Sequence, residues 1–85
     1  MSISAVEVDE RVADVRVTDD ALELRLRDGR TISAPLTWFP RLASAPAGAR
    51  TVWEVSAAGY GVHWPEIDED LSVAGLLRLS AVAPN

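Results

Sequence analysis

The residues best suited to chemistry lie together in the stretch GYGVHWPEIDEDLS, residues 59–72. It holds the single histidine of the chain, His63, followed by the acids Glu66, Asp68, Glu69 and Asp70. A histidine beside carboxylates can bind a divalent metal ion or act as an acid–base pair. The first question is whether this stretch is such a site or a structural turn that leads into a helix.

The local pattern favours the structural turn. Pro65 and the change of direction after Trp64 predict that His63 and the acids share no helical or strand face. A zinc site would have one neutral nitrogen ligand, because the chain has no second histidine and no cysteine. The DED run also lacks the alternating acid spacing of a calcium loop. We therefore expect no catalytic residue, no metal and no cofactor here.

Other catalytic patterns are absent from the sequence. The serines lie in no nucleophile-elbow motif, and the Gly59-x-Gly61 pair lacks the rest of a phosphate-binding loop. The three tryptophans could stack on bases or sugars, but large aromatic side chains in so small a domain more often fill the core. We interpret one set of residues as structural anchors: Gly29, Trp38, Pro40, Trp53, Gly61, Trp64 and Pro65.

Length and composition predict a single domain, residues 1–85, with loosely ordered termini. The chain has 85 residues, of which 48% are apolar, and a formal net charge of −5. Residues 51–85 carry five acids against Arg78 alone, so we expect no direct binding to nucleic acid. No apolar run is long enough to span a bilayer, and no signal peptide is evident, which predicts no membrane association and a cytoplasmic location.

Alternating residues predict a β-hairpin around the turn Asp19-Asp20. Val17 would pair with Leu22 and Val15 with Leu24 on one apolar face. The same register sets Arg16 opposite Glu23 and Asp14 opposite Arg25 on the other face, where opposite charges favour pairing. A three-residue loop, 27–29, with Gly29 in the left-handed position, then pairs Leu24 with Ile32 and Leu22 with Ala34. The result is a three-stranded meander at about 12–18, 21–27 and 30–36.

The rest of the chain predicts two short helices and further short strands. LTWFPRLASAPAG is typical of a helix capped by Thr37, and TVWEVS of a strand that places Trp53 and Val55 on one face. DLSVAGLLRL predicts a second helix capped by Asp70 or Ser72, with the acids 66–70 before or in its first turn. The fold class is α+β: a small antiparallel sheet, made of the meander plus one or two further short strands, with two short helices.

Several motifs in order resemble those of one family. They are V-x-D-V-x-V-x-D-D-x-L, DGRTI, PLTWFPRL and HWPEIDEDLSVAGLL. The chain resembles the small bacterial domain of unknown function family 2442 over about residues 10–79. The resemblance implies an α+β domain without a known activity. Members occur alone or fused to a helix-turn-helix domain, and lone members are often encoded beside a second small protein in suspected toxin–antitoxin pairs. We expect no DNA-binding extension in this chain.

Two classes of function follow from these patterns. The first is a non-enzymatic binding or regulatory module, such as the antitoxin-like member of a two-protein operon. It would bind another small, basic protein through Tyr60, His63, Glu66, Asp68, Glu69 and Asp70. The second is a small metal-dependent or acid–base enzyme that uses His63 with Asp68 or Asp70. An acidic inhibitor that mimics nucleic acid is a weaker alternative, and a homodimer could form through the uncovered strand near 12–18.

Overall fold

A computed structural model describes residues 7–82, with side chains to residue 79. The fold is α+β, as predicted, but its strands form two antiparallel sheets of three strands each. The first sheet, in the order β1-β2-β3, consists of Val12–Val17, Ala21–Leu26 and Thr31–Pro35. The second, in the order β4-β5-β6, consists of Glu54–Ser56, Gly61–Trp64 and Glu69–Ser72. Three helices complete the described part: α1 Pro40–Ser44, α2 Ala47–Arg50 and α3 Val73–Val82.

The predicted register of the meander is confirmed. Val17 lies opposite Leu22, Val15 opposite Leu24, and Leu24 opposite Ile32. The apolar face is therefore continuous across the three strands. A bulge between Val12 and Asp14, which the alternation did not reveal, turns Val12 into the core, where it is 3% exposed.

The loop between β2 and β3 also has the predicted form. Gly29 adopts φ +99°, and its N–H donates to the Leu26 carbonyl at 3.0 Å. A residue with a side chain would be strained in this left-handed conformation, which explains the glycine.

Hydrogen bonds and ion pairs connect the segment before β1 to this loop. The Asp9 N–H donates to Asp28 Oδ2 at 3.0 Å, and the Asp9 carboxylate accepts from the Arg11 guanidinium at 2.8 Å. Arg30 pairs with Asp28 at 2.9 Å. Within the N-terminal segment that we predicted to be loosely ordered, the side chain of Asp28 binds Asp9 and that of Arg30 binds Glu10. Residues 1–6 lie outside the described part of the chain.

The first predicted helix is divided into three short segments. Leu36–Trp38 form a 3₁₀ turn, α1 begins at Pro40, and α2 follows after Pro46. The prediction that Thr37 caps a helix is wrong, because Thr37 lies inside the 3₁₀ turn and neither this turn nor α1 has a side-chain cap. Pro40 is tolerated at the first position of α1, where its missing N–H has no helical partner to lose.

The apolar faces of both sheets and the helices share one core. Its fully buried larger members are Leu22, Leu24, Leu26, Leu42, Val62, Trp64 and Val73. Trp38 and Trp53 are half-buried and pack against this core, as does Leu77, whereas Leu79 is 42% exposed. In the described residues, no helix is long and apolar enough to cross a membrane.

Candidate functional site

The predicted binding residues lie on one β-hairpin and its approach. β5 and β6 are joined by the turn 65–68. We call the predicted binding residues the acidic hairpin: Tyr60, His63, Glu66, Asp68, Glu69 and Asp70. Apolar pairing explains the hairpin, since Val62 lies opposite Leu71 on its inner face. Asp68 closes the turn in the left-handed region with φ +52°.

We expected the acids 66–70 to lie before or in the first turn of a helix, and they lie before it. Glu69 and Asp70 belong to β6, and α3 begins only at Val73 with no acid in its first turn. Ser72 is the cap of this helix, since its Oγ accepts the Gly75 N–H at 2.9 Å. The sequence analysis did not predict β6. β5 ends before Pro65, and the turn 65–68 then brings the chain back antiparallel to β5.

His63 and Asp70 face each other across the hairpin. They are direct partners in the register, and Nδ1 of His63 lies 2.9 Å from Oδ1 of Asp70. The prediction that His63 shares no strand face with the acids is therefore wrong. Val62 and Trp64 are buried on the opposite face, so the His63 side chain points outward.

A third acid joins this row from the neighbouring strand. Glu54 on β4 lies directly opposite His63, so Glu54, His63 and Asp70 follow one another across the outer face of the second sheet. Sequence reasoning did not include Glu54 in the site. Its alternation with Trp53 and Val55 indicated an outward side chain, but only the β4–β5 register places it beside His63.

Asp68 brings a second carboxylate towards the same point. One potential ligand atom from each of His63, Asp68 and Asp70 lies within 4.8 Å of the others. If Nδ1 of His63 carries the proton and donates it to Asp70, its Nε2 remains an acceptor. Two carboxylates and one neutral imidazole form a ligand set that suits a divalent cation.

Residues outside the acidic hairpin hold it in position. The indole N–H of the fully buried Trp64 donates to the Arg50 carbonyl at 3.1 Å. The Arg50 guanidinium in turn donates to the carbonyls of Leu42 and Ala43 at the end of α1. Trp64 is thus fully buried with its polar atom satisfied.

The Asp68 turn has its own support. Arg41 on α1 donates from Nη1 to the Asp68 carbonyl at 2.8 Å. This contact connects α1 with the turn between β5 and β6. No sequence pattern indicated it, because Arg41 and Asp68 are 27 residues apart.

Tyr60 lies where the chain enters the hairpin. It is 50% exposed, and its carbonyl accepts the Val73 N–H at 3.0 Å, which ties the start of β5 to the start of α3. Val52 and Val55 are exposed to 41% and 45%. The region before and along the hairpin therefore presents apolar side chains as well as carboxylates.

A depression of about 170 Å³ lies elsewhere, on the outer face of the first sheet. It is lined by Asp14, Arg16, Glu23, Arg25 and Thr31, and it shares no residue with the acidic hairpin. Its charged residues are the cross-strand partners Asp14–Arg25 and Arg16–Glu23 predicted from the sequence. The positive and negative side chains alternate there, so this face is not an array of free acids that could mimic a phosphate backbone.

Comparison with known proteins agrees with this architecture. A crystal structure of a protein of unknown function from Rhodospirillum rubrum ATCC 11170 is similar, with a TM-score of 0.69 and 30% sequence identity over 80% of this chain and 84% of that one. A comparison with curated protein sequences finds no match. The family described as "Protein of unknown function (DUF2442)" matches residues 12–81. The chain therefore belongs to the DUF2442 family.

Proposed function

We propose that the chain is a non-enzymatic binding module whose acidic hairpin binds a basic protein partner. The observation that carries the proposal is the row Glu54, His63 and Asp70 on an outward face, extended by Glu66 and Asp68 in the adjacent turn. Opposite charges on two surfaces speed association and favour the correct partner. A row across three regular strands also has a defined geometry that a partner can recognise.

The carboxylates of this surface are available for a partner. Among the described residues, the acids of the hairpin make one ion pair within 4.0 Å, that of Asp70 with His63. The carboxylates of Glu54, Glu66 and Asp68 have no arginine within that distance in the same part of the chain. Nearby exposed Tyr60 and Val55 supply apolar area of the kind that interfaces bury.

The partner that we propose is a second small protein, with this chain as the antitoxin-like or regulatory member of the pair. The support is the family resemblance together with the charge distribution. Residues 51–85 hold five acids and one arginine. A basic helix or cleft would complement this surface.

The first test is recovery of the partner from the native host with a tagged chain, followed by affinity measurements on the purified pair. Replacing Glu66, Asp68 and Asp70 by the corresponding amides should weaken binding by at least about tenfold, since three favourable charges are lost. The same affinity should decrease as salt concentration rises.

A matched control removes three acids from another surface. Asp19→Asn, Asp20→Asn and Glu23→Gln change the net charge equally but lie on β2 and the turn before it. This variant should bind nearly as well as the wild type. Unchanged affinity in a folded hairpin variant, or equal losses in both variants, would contradict the proposal.

A second candidate function uses the same hairpin to hold a divalent cation for acid–base or hydrolytic chemistry. The specific observation in its favour is the convergence of His63, Asp68 and Asp70 within 4.8 Å. The ion would be held by the imidazole of His63 and the carboxylates of Asp68 and Asp70, and it would lower the pKa of a coordinated water.

Thermal unfolding with and without Mn²⁺ or Zn²⁺ tests this candidate. A site with a Kd of about 10 µM would gain about 2.7 kcal/mol of stability at 1 mM cation, which is a shift of several degrees in Tm. Asp68→Asn and Asp70→Asn should abolish the shift. Glu66→Gln, which changes an acid outside the triad, should keep it. No shift in the wild type would exclude the site.

A further inference from the structure

The free edge of β1 is the longest unpaired strand edge in the described part of the chain. β1 and β3 border the first sheet, and β4 and β6 border the second. β3 ends in Pro35 and contacts α3, whereas β4 has only three residues and β6 four. β1 has six residues and, among the strands of residues 7–82, pairs with β2 alone. Uncovered edges of this kind are templates for pairing with another strand.

The hydrogen-bond pattern shows which residues of β1 face that edge. The Thr18 N–H donates to the Ala21 carbonyl and the Ala21 N–H donates to the Thr18 Oγ1, so the main-chain groups of these two residues face each other. Alternation along an antiparallel ladder then directs the main-chain groups of Arg16 and Asp14 towards β2. Those of Val15 and Val17 are directed away from β2, towards the free edge.

A second copy of β1 fits this edge in one antiparallel register. If the two-fold axis passes at Val15, each Val15 exchanges two main-chain hydrogen bonds with Val15 of the second copy. Asp14 then lies opposite Arg16 of the second copy, and Arg16 lies opposite Asp14 of the second copy. Both pairs are of opposite charge, and both are of the non-hydrogen-bonded type in which side chains approach most closely.

The charges continue the pattern of the first sheet. Within one chain, Arg25 lies opposite Asp14, and Arg16 lies opposite Glu23. Across the proposed junction, one row would read Arg25, Asp14, then Arg16 and Glu23 of the second copy. Positive and negative side chains alternate through all four strands, and no like charges are neighbours.

We propose that the chain forms a two-fold symmetric dimer in which β1 pairs antiparallel with β1 of a second copy, centred on Val15. The two meanders become one six-stranded sheet. The apolar faces lie on the same side of this sheet, because each Val15 is buried on the inner face of its own meander. The proposal is independent of the function assigned to the acidic hairpin, which lies on the second sheet.

The bulge sets the expected strength of the dimer. It falls between Val12 and Asp14, so the regular ladder is limited to about Asp14–Val17. A ladder this short buries less area than stable interfaces do, which predicts a weak dimer with a Kd between about 10 µM and 1 mM. Sedimentation equilibrium must therefore extend to about 1 mM protein.

Charge exchange tests the register. The variants Asp14→Arg/Arg25→Asp and Arg16→Asp/Glu23→Arg each preserve the opposite-charge pair within the chain and the net charge. Each variant creates like-charge pairs across the junction, so each alone should dimerise at least about tenfold more weakly than the wild type. An equimolar mixture of the two restores opposite charges at both pairs and should form a heterodimer. The variant with all four exchanges should dimerise like the wild type.

The outcomes separate clearly. Circular dichroism and thermal unfolding check that each variant is folded, and the fourfold variant tests the register without mixing. A wild-type chain that remains monomeric at about 1 mM overturns the proposal. A dimer that persists unchanged in both folded double variants also overturns it, since another surface must then be responsible, and a mixture that remains monomeric overturns the register.

Discussion

At the scale of single residues, ionic side chains fasten the start of the first sheet. The Arg11 guanidinium hydrogen-bonded to Asp9 lowers the pKa of that carboxyl from 3.8 to about 2. The Arg30 guanidinium beside Asp28 likewise holds the pKa of Asp28 below its usual value. Both acids also accept main-chain N–H groups, from Arg11 and from Asp9 respectively.

Low pH should weaken the contacts that Asp9 and Asp28 make at the start of the first sheet. A carboxyl with a lowered folded-state pKa stabilises the fold above its unfolded pKa, and the contribution is lost as pH falls from about 4 to about 2. Asp9→Asn should therefore be less stable than the wild type at pH 7, and the difference should shrink by pH 2. Urea unfolding at pH 7, 4 and 2 measures this.

Asp20→Asn is the matched control, because the Asp20 side chain is exposed in the first hairpin turn. It should leave the free energy of unfolding nearly unchanged at each pH. A pH dependence of Asp9→Asn identical to that of the wild type would show that this carboxyl does not contribute.

At the scale of elements, close approach of strands shapes the second sheet. Gly61 begins β5 between Ser56 on β4 and Ser72 on β6. A Cβ at Gly61 would lie 2.8 Å from the Ser56 Oγ and 3.2 Å from the Leu71 carbonyl oxygen. Glycine is therefore favoured at this position, because a methyl group would force the Ser56 hydroxyl to turn away and the Leu71 carbonyl on β6 to shift.

Gly61→Ala should reduce the free energy of unfolding by about 1–3 kcal/mol, because the strands must move apart to admit the methyl group. Gly48→Ala is the matched control. Gly48 lies in α2 with no atom within 4 Å of an added Cβ, so this change should stabilise the protein by about 0.4–1 kcal/mol. Chemical denaturation of both variants measures the contrast, and equal effects would contradict the steric argument.

At the scale of the whole molecule, two sheets divide the surface into regions with different charge patterns. The first sheet presents alternating opposite charges on its outer face and a free edge at β1. The second presents Glu54, His63 and Asp70 in one row. The proposed dimer uses the first sheet and the proposed partner uses the second, so the two associations can be tested separately.

Local patterns were sufficient to predict the meander. Strict alternation and opposite charges at Asp14, Arg16, Glu23 and Arg25 agree on one register, and Gly29 identifies the loop that preserves it. These signals lie within about 25 residues of one another, so each turn determines the pairing of its own strands. The α+β class and the burial of Trp64 follow from similarly local reasoning.

The site depended on tertiary structure. The alternation in EDLS, residues 69–72, is too weak to distinguish a strand from the start of a helix. This segment forms β6 because it pairs with the edge of β5 and places Leu71 opposite an apolar residue of that strand. The long-range contacts of Arg41 with Asp68 and of Trp64 with Arg50 then held the turn. The sequence by itself determined the composition of this surface, a histidine among acids. Only the folded second sheet decided that His63, Glu54 and Asp70 lie side by side, because the sequences of β4 and β6 are too short and too weakly alternating to specify their register with β5.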